Sequence, residues 1–171
     1  MKIFASSDHH FYHKNIIKYV NRPFDVNHED CVIDNAKLMI HRHNEIVSND
    51  DVAIFVGDLS AGLRGRDAHY HGLLQLLNGK KILVRGNHDR LPDDFYLSAG
   101  FLDVLDYIEI DEYFISHYPC YESRWIHENE KEHLGIVNRD HCKVIIHGHI
   151  HNKDAALWEP DGITRINVCV D

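Results

Sequence analysis

Histidine and carboxylate side chains are paired near both ends of this chain. His149 and His151 are separated by one residue and follow Gly148, while Asp8 and His10 have the same spacing near the start. Histidine is the commonest protein ligand of divalent transition metals, and glycine allows the backbone to come close to a bound ion. In extended backbone, residues two apart point to the same side. We therefore expect each pair to hold a metal ion, the alternative being a polar strand end with solvated histidines.

Other polar side chains follow apolar runs in the middle of the chain. Asp58 comes after such a run, behind Gly57, and a lone buried carboxylate is costly unless it is paired or binds a metal. Asn87 offers a neutral oxygen ligand, its neighbour His88 could donate a proton, and His117 ends another apolar run. Taken singly, each has a simpler interpretation: a helix N-cap for Asp58, an ordinary turn at Asn87 and a satisfied histidine at His117.

Taken together, these side chains form an oxygen and nitrogen donor set that contains no cysteine. Such a set suits manganese, iron, zinc or nickel and does not suit a structural thiolate site. Eight groups are too many for one transition metal, but they suffice for two ions that share a carboxylate, which is the arrangement used for in-line displacement at phosphorus. The eight groups are Asp8, His10, Asp58, Asn87, His88, His117, His149 and His151.

The segments around these residues alternate between strand and helix patterns. Strands are predicted over residues 2–7, 51–56, 81–84, 144–146 and 163–170, with a hairpin formed by residues 102–110 and 113–116. Helices are predicted over residues 28–47, capped by Asn27, over 66–78, ended by Gly79, and over 93–99, ended by Gly100. This alternation indicates an α/β fold. Because ligands bind beyond the carboxyl ends of strands in such sheets, we expect the polar strand ends to converge on one crevice.

The composition is that of a soluble globular protein and not of a disordered or fibrous one. The chain has 171 residues, 44% of them hydrophobic and 26% charged, and shows no internal repeat or linker, so one domain over residues 1–171 is predicted. The formal net charge is −9, which argues against a protein that coats nucleic acid. Histidine is the outlier, with 16 residues, and points to metal or proton chemistry.

The start of the chain and the cysteines predict a cytoplasmic location. The opening MKIFASSDHH turns polar too soon for a signal peptide. No apolar run reaches the roughly 18 residues of a membrane span. The four cysteines are widely scattered and none forms C-x-x-C, so reduced thiols are expected.

Five motifs in a fixed order resemble those of the calcineurin-like metallophosphoesterase superfamily. The motifs are D-x-H, G-D, G-N-H-D, a lone H, and G-H-x-H, and they extend from residue 8 to residue 151. The opening SDHHFYHKNI and the NRPF at residues 21–24 are similar to a branch of short, mostly bacterial and phage-type members. The resemblance implies a four-layer α/β/β/α sandwich with a dinuclear metal site at one edge.

The resemblance also implies a role for each residue. Two divalent metal ions, with manganese favoured among Mn, Ni, Fe and Zn, would bridge a hydroxide that attacks phosphorus, and a histidine would act as general acid. Asp8, His10 and His151 would hold the first ion, Asn87, His117 and His149 the second, Asp58 would bridge both, and His88 would be the catalytic acid.

The sequence departs from the large protein phosphatases of this superfamily. Their second motif continues as G-D-x-x-D-R-G, whereas here residues 57–63 read GDLSAGL, and Asp89 stands where they have glutamate. The departures argue against protein phosphatase activity and favour a compact phosphodiesterase or phosphatase. Of these two, a phosphodiesterase is favoured, because the chain is compact and an open cleft would admit a diester. The expected substrate is a small phosphoester, a nucleotide or a nucleic-acid end, with no membrane partner, and the oligomeric state is open.

Several further residues are candidates for contact with substrate. The strongest follow the motifs closely in sequence, and the alternative for them is a solvated helix face or simple packing. They are His13, Asn15, Arg22 and Tyr118, followed by Arg64, Arg90 and Arg124. His9 and His147 flank the ligands and are expected to support them.

Two other functions are consistent with parts of this pattern. A non-enzymatic binding module on the same fold would be expected to have gaps in the ligand set, and none is missing here. A redox or oxygen-activating enzyme would use an isolated set of two histidines and one carboxylate, which the sequence lacks.

Overall fold

The chain forms two four-stranded sheets in a computed structural model that describes residues 1–61, 65, 67–119, 141–151 and 162–171. In the first sheet the strands are β1 (Ile3–Ser6), β2 (Val52–Val56), β3 (Lys80–Val84) and β4 (Phe101–Leu105), in that order and all parallel. The β2 sequence VAIFV is apolar at every position, as expected for a parallel strand covered on both faces. The sequence prediction of an α/β fold is confirmed.

The second sheet contains β5 (Ile108–Ile110), β6 (Tyr113–Ile115), β7 (Val144–His147) and β8 (Thr164–Asn167). Strands β5 and β6 form an antiparallel hairpin, whereas β6, β7 and β8 are parallel.

The prediction of one strand over residues 102–110 is wrong. This segment forms two strands, since β4 pairs with β3 in the first sheet and β5 pairs with β6 in the second. The chain leaves the first sheet at Asp106 and Tyr107, where no strand is formed. A single straight strand could not serve both sheets, and Asp106 interrupts the apolar alternation of the segment at this break.

Four helices occur in the described part of the chain: α1 (Lys14–Tyr19), α2 (Cys31–Ile46), α3 (Asp67–Gln75) and α4 (Asp93–Ser98). The short helix α1 is absent from the sequence prediction. The predicted start of α2 at residue 28 with an Asn27 cap is also wrong, since the N-cap is Asp30. The Asp25 side chain accepts a hydrogen bond from the Asn27 amide at 2.9 Å, and this turn places residues 25–30 outside the helix.

The helices and the second sheet cover opposite faces of the first sheet. On one face, Phe55 and Leu83 pack with Tyr70, Leu74 and Tyr96 in a fully buried cluster. On the other face, Ile54, Val56 and Val84 pack against Ile115 of the second sheet. Side chains along β2 and β3 thus alternate between the helices on one face and the second sheet on the other. With the two sheets packed in this way, the carboxyl ends of their parallel strands lie at one edge.

Two further observations concern membranes and thiols. Within the described ranges, no helix has the length and apolar character needed to cross a bilayer. Cys31 and Cys169 are free thiols, Cys142 is buried, and Cys120 lies outside the described residues.

Candidate metal centre

Five loops at the carboxyl ends of strands bring the predicted ligands together. Three of the loops follow β1, β2 and β3 of the first sheet, and two follow β6 and β7 of the second. In chain order they supply Asp8 and His10, then Asp58, then Asn87 and His88, then His117, and finally His149 and His151.

Asp58 lies at the centre of the cluster. Its Oδ2 is 3.6 Å from His10 Nε2, 3.4 Å from His117 Nε2 and 3.9 Å from His88 Nε2. Its Oδ1 accepts a hydrogen bond from the His88 backbone amide at 2.9 Å. Burial alone would raise the pKa of Asp58, but the surrounding histidines, His117 first, outweigh burial and hold it well below its ordinary value. The group is therefore a carboxylate that faces imidazoles on several sides.

Asp8 is buried with one oxygen satisfied and the other free. Its Oδ2 accepts hydrogen bonds from Ser7 Oγ at 2.6 Å and from the His149 amide at 2.9 Å. Its Oδ1 has no hydrogen-bond partner and lies 3.5 Å from His151 Nε2 and 3.9 Å from His10 Nε2. Since an unpaired buried carboxylate oxygen is costly, this geometry suits a bound cation.

His117 is oriented by the backbone. Its Nδ1 lies 2.9 Å from the Val56 carbonyl, so that nitrogen is the donor and Nε2 points to Asp58. His117 Nε2 is also 3.2 Å from His149 Nδ1. Burial opposes protonation, but the Asp58 carboxylate outweighs it and raises the pKa of His117 to about 9. Burial and the charge on His117 lower the pKa of His149 to about 4.

The distances within the cluster match those between ligands of one ion. His10 Nε2 and His151 Nε2 are 3.1 Å apart, a spacing close to the roughly 3.0–3.5 Å expected between ligands that each lie about 2.1 Å from a shared ion. Asn87 adds a buried Oδ1 without a hydrogen-bond partner. Among the described residues, three groups of side chains could hold a metal ion: Asp58, His117 and His149; His10, Asp58 and His88; and Asp8, His151 and Cys169.

A buried ion pair between Arg22 and Asp171 connects the loop after β1 to His151. Asp171 Oδ2 accepts a hydrogen bond from His151 Nδ1 at 2.7 Å, and Asp171 Oδ1 pairs with Arg22 Nε at 2.6 Å. Arg22 also donates to the carbonyl oxygens of Asp8, at 3.0 Å, and His9, at 2.8 Å. This chain of contacts leaves His151 Nε2 free to act as a ligand.

These contacts change the interpretation of Arg22 and add Asp171. Arg22 is expected from the sequence to contact substrate, but its guanidinium is engaged with Asp171 and two carbonyls, which favours a supporting role. Asp171 has no motif around it, and it is the fold that brings it to His151. No local signal in the sequence could have identified it.

Asp89 accepts hydrogen bonds from both the loop after β2 and the loop after β3. Its carboxylate accepts hydrogen bonds from the amides of Asp58 at 2.7 Å, Leu59 at 3.0 Å and Gly86 at 2.9 Å. Burial, together with the Asp58 charge, raises the pKa of Asp89 to about 7. The sequence marks Asp89 only as a departure from glutamate, whereas the structure gives it a positioning role.

The backbone at the cluster is left-handed and not extended. The φ values are 60° at Asp8, 49° at His10, 53° at Asp58, 73° at His149 and 42° at His151. Asp8 and His10 do converge, but the reason given from the sequence, an extended backbone, is wrong. The regular strand ends at Ser6, and the loop then turns through conformations that non-glycine residues rarely adopt.

Two glycines allow the ligand carboxylates to pack against neighbouring loops. A Cβ at Gly148 would collide with Asp8 Oδ2 and Ser7 Oγ, and a Cβ at Gly86 would collide with Asp58 Oδ1. The glycines of the third and fifth motifs are thus required by close approach to a carboxylate.

The remaining candidates lie around the cluster or away from it. His88 is 40% exposed, and His13 lies near it, with ring centroids 6.5 Å apart. The ring centroid of Tyr118 lies 5.1 Å from that of His149 and 5.2 Å from that of His117. Asn15 is exposed on α1. Arg90 is exposed and donates to the Asn87 carbonyl, and His147 is buried beside Gly148. Arg64 and Arg124 lie outside the described residues.

The chain is similar to proteins from an archaeon, a phage and bacteria. No protein-family model matches the sequence. The Gene 66 protein of Mycobacterium phage L5 is 26% identical over 166 residues, covering 86% of this chain and 76% of that protein. Among solved structures, the Aquifex aeolicus protein AQ665, described as of unknown function, is 25% identical, with a TM-score of 0.67 and coverage of 99% of this chain and 91% of that one.

Two further comparisons bear on the fold and on the family. The Pseudomonas putida nuclease MPE superposes with a TM-score of 0.52 over 97% of this chain and 74% of that one, and at 16% identity this likeness shows the fold alone. The uncharacterized protein MJ1445 of Methanocaldococcus jannaschii is 34% identical over 150 residues, which cover 88% of this chain and 69% of that protein. At this identity and coverage, the chain belongs to the same family as MJ1445.

Proposed function

We propose that the protein is a metal-dependent phosphoesterase of the calcineurin-like metallophosphoesterase superfamily, in its short bacterial and phage-type branch. The observation that carries this proposal is the position of Asp58 Oδ2, 3.6 Å from His10 Nε2 and 3.4 Å from His117 Nε2. One carboxylate oxygen thus faces two separate imidazole groups. Such a bridging carboxylate is what a two-metal site for phosphoryl displacement requires.

The donor set fits two divalent ions. Asp8, His10 and His151 would hold the first, Asn87, His117 and His149 the second, and Asp58 would be shared. The unpartnered oxygens of Asp8 and Asn87 support this assignment. Cys169, which lies beside Asp8 and His151, is left out of the set because burial raises the pKa of its thiol and disfavours the thiolate. The remaining nitrogen and oxygen ligands suit Mn, Fe, Ni or Zn, and the oxygen share favours manganese. When bound, the ions would activate water for attack on phosphorus and neutralise phosphate charge.

His88 is proposed to protonate the leaving oxygen. Its side chain is 40% exposed at the edge of the cluster, so a substrate can reach it, and its Nε2 is 3.9 Å from Asp58 Oδ2. Its backbone amide is anchored to Asp58 Oδ1, which fixes the loop. His13 and Tyr118 are placed to contact the rest of the substrate.

A phosphodiester is the favoured substrate class. The compact chain and the 40% exposure of the His88 side chain support a diester, which needs an open edge. The Pseudomonas putida neighbour is named a nuclease, which favours a nucleotide or a nucleic-acid end over other diesters. We further propose a cytoplasmic, single-domain protein with a four-layer α/β/β/α arrangement. The burial of Phe114 and Ile145 in a separate cluster on the second sheet supports that outer layer.

The test compares metal content with hydrolysis. The wild-type protein, reconstituted with Mn²⁺, is expected to bind two ions and to hydrolyse bis(p-nitrophenyl) phosphate faster than p-nitrophenyl phosphate. Asp58→Asn keeps the shape of the side chain but removes its charge, so both metal content and turnover should fall. Asp94→Asn, at an exposed position on α4, is the matched control. Full turnover in Asp58→Asn would contradict the proposal, and metal binding without any ester hydrolysis would indicate a binding module.

A further inference from the structure

Arg90 is held against the loop that carries the proposed proton donor. Its Nε donates a hydrogen bond to the Asn87 carbonyl oxygen at 3.1 Å, and its backbone amide donates to the His88 carbonyl oxygen at 3.0 Å. Asn87 is a proposed ligand of the second ion, and the His88 side chain is 40% exposed at the edge of the cluster. The Arg90 guanidinium is therefore positioned beside both the proposed metal centre and the proposed acid.

The positive charge of Arg90 is not neutralised by the described part of the chain. Arg22 and Arg85 also donate to backbone carbonyls near the cluster, but each is paired with a carboxylate, of Asp171 and Asp93 respectively. Arg90 is exposed and forms no ion pair with any described residue. Because its Nε is used by a carbonyl oxygen, the two terminal nitrogens of the guanidinium remain for another partner, and their geometry matches the oxygens of a phosphate group.

The position of His88 determines which part of a substrate would reach Arg90. Under the proposed function His88 protonates the leaving oxygen, so the leaving group lies on the His88 side of phosphorus. An anion that pairs with Arg90, two residues further along the same turn, is then carried by the leaving group. In a chain of nucleotides the leaving nucleoside carries such an anion, which is the next phosphate. A simple aryl or alkyl diester carries none.

We infer that Arg90 binds the second phosphate of a nucleotide chain, the one attached to the leaving nucleoside, and thereby selects a chain of nucleotides over an isolated diester. The inference rests on the proposed function and narrows its substrate class. The hydrogen bond to Asn87 orients the guanidinium before the substrate arrives, so less side-chain entropy is lost on binding. In a protein of formal net charge −9, this cation would act locally and not by general attraction of polyanions.

The substrate preference is tested with three thymidine dinucleotides and the protein reconstituted with Mn²⁺. One carries only the scissile diester, and the other two carry an additional phosphate at the 5′ end or at the 3′ end, because either the 3′ or the 5′ oxygen could leave. We expect one phosphorylated dinucleotide to be cleaved with a kcat/KM about five- to tenfold above that of the unmodified one. Chromatography should recover its additional phosphate on the leaving nucleoside. Equal gains for both, no gain for either, or recovery on the nucleoside that keeps the scissile phosphate would overturn the inference.

The position is tested by variants of two arginines. In Arg90→Gln the preference should disappear, whereas Arg90→Lys, which keeps the charge without the planar fork, should retain part of it. The preference is a ratio within each variant, so a general loss of turnover cancels. Arg42→Gln removes an exposed arginine from α2 and should keep the wild-type ratio. A wild-type ratio in Arg90→Gln, or an equal fall in Arg42→Gln, would refute the role of Arg90.

A binding measurement tests the same contact without turnover. Thymidine 3′,5′-bisphosphate has two phosphates on one nucleoside, so one can lie at the metal centre while the other pairs with Arg90. Calorimetric titration of the Mn²⁺-loaded protein should show that it binds about five- to tenfold more tightly than the better of the two thymidine monophosphates. Arg90→Gln should remove this difference. Equal affinities in the wild type, or an undiminished difference in the variant, would overturn the inference.

Failure of this inference differs from failure of the proposed function. Hydrolysis of bis(p-nitrophenyl) phosphate without any preference among the dinucleotides would leave the phosphoesterase intact and overturn the role of Arg90 alone. Absence of hydrolysis of every ester would overturn the proposed function, and this inference with it.

Discussion

Asp58 and His88 have different roles in the proposed site: Asp58 supplies the negative charge that binds the ions, and His88 supplies the proton for the leaving group. The Asp58 carboxylate is almost fully buried and faces His10 and His117, whereas His88 stands at the exposed edge. Removal of Asp58 therefore affects ion binding, while removal of the His88 ring leaves the proposed ligands in place. The two roles can be separated by their dependence on the leaving group.

His88→Ala is expected to retain metal and lose turnover with poor leaving groups. General acid catalysis contributes about 10²–10⁴-fold, but an ester that releases p-nitrophenol needs little protonation and should lose far less. Steady-state kinetics with aryl and alkyl esters, together with metal analysis, would measure this. His41→Ala removes an imidazole that is 68% exposed on α2 and serves as control. A uniform loss across all esters would argue against proton donation by His88.

Asp171→Asn is expected to weaken metal binding 10–100-fold, the usual effect of losing a carboxylate that orients a ligand. The carboxylate holds His151 Nδ1 at 2.7 Å and also anchors Arg22. Titration of the metal-free protein would give the dissociation constant, and thermal unfolding would show separately whether the fold is intact. Unchanged metal affinity would exclude the positioning role.

The sequence identifies the proposed ligands, whereas only the structure identifies the residues that support them. The proposed ligands can be predicted because motifs with short, fixed spacing contain them, as at Asp8 and His10. Arg22 and Asp171 meet only after folding, 149 residues apart along the chain, and no pattern of residue types announces their contact. The same applies to Asp89, whose three amide partners belong to two loops.

At the scale of the elements, strand ends determine which side chains meet. The parallel strands β1, β2 and β3 could be predicted from apolar runs that stop at polar residues. The break between β4 and β5 is marked in the sequence only by Asp106, at a position where alternation would place an apolar side chain, and this one residue does not predict that the two strands pair in different sheets. The left-handed loops cannot be predicted either, because sequence spacing does not reveal φ angles.

Gly148→Ala is expected to disturb both stability and metal binding. The added Cβ would lie 2.6 Å from Ser7 Cβ and would also press on Asp8, so an overpacking cost of about 1–3 kcal/mol is expected. Chemical denaturation and metal titration would measure the two effects. Gly72→Ala in α3 is the matched control: nothing lies within 4 Å of its Cβ, and the change should be neutral or stabilising by up to about 1 kcal/mol. Equal effects of the two changes would refute the close-packing argument.

At the scale of the whole molecule, the candidate centre joins the two sheets. Asp58 follows a strand of the first sheet, and His117 and His149 follow strands of the second. An ion held by these three side chains would therefore link both halves of the described structure. Because a ligand that binds only the folded state stabilises it, metal should oppose unfolding of the whole chain.

Chelation is expected to lower the melting temperature. An ion at a concentration of 100 times its dissociation constant adds about 2.7 kcal/mol, which for a chain of this length corresponds to about 5–10 °C. Differential scanning calorimetry with Mn²⁺ and then with EDTA would measure the shift. Asp58→Asn, with its weakened site, should show little difference between the two conditions. A wild-type protein indifferent to EDTA would contradict the centre.

Metal affinity is expected to fall as the pH is lowered from 9. The pKa of His117 is raised to about 9 without metal, and its nitrogen must be neutral to bind an ion, so metal binding releases a proton. The affinity should fall up to about tenfold for each pH unit below 9. The His117–Asp58 pair stabilises the metal-free fold fully below about pH 6.5 and loses that contribution as the pH rises through 9. Calorimetry in buffers of different ionisation enthalpy would count the protons.

The left-handed backbone at Asp8, His10, Asp58, His149 and His151 has a consequence for laboratory evolution. Each of these positions holds a side chain in a conformation that costs about 1 kcal/mol and that glycine would adopt freely. A library selected only for heat tolerance, with a chelator present, should therefore accumulate glycine at His10 and His149, whose neutral side chains carry no ion pair, and should keep Asp58, whose pair with His117 stabilises the metal-free fold. Its most robust members would be the ones unable to capture an ion.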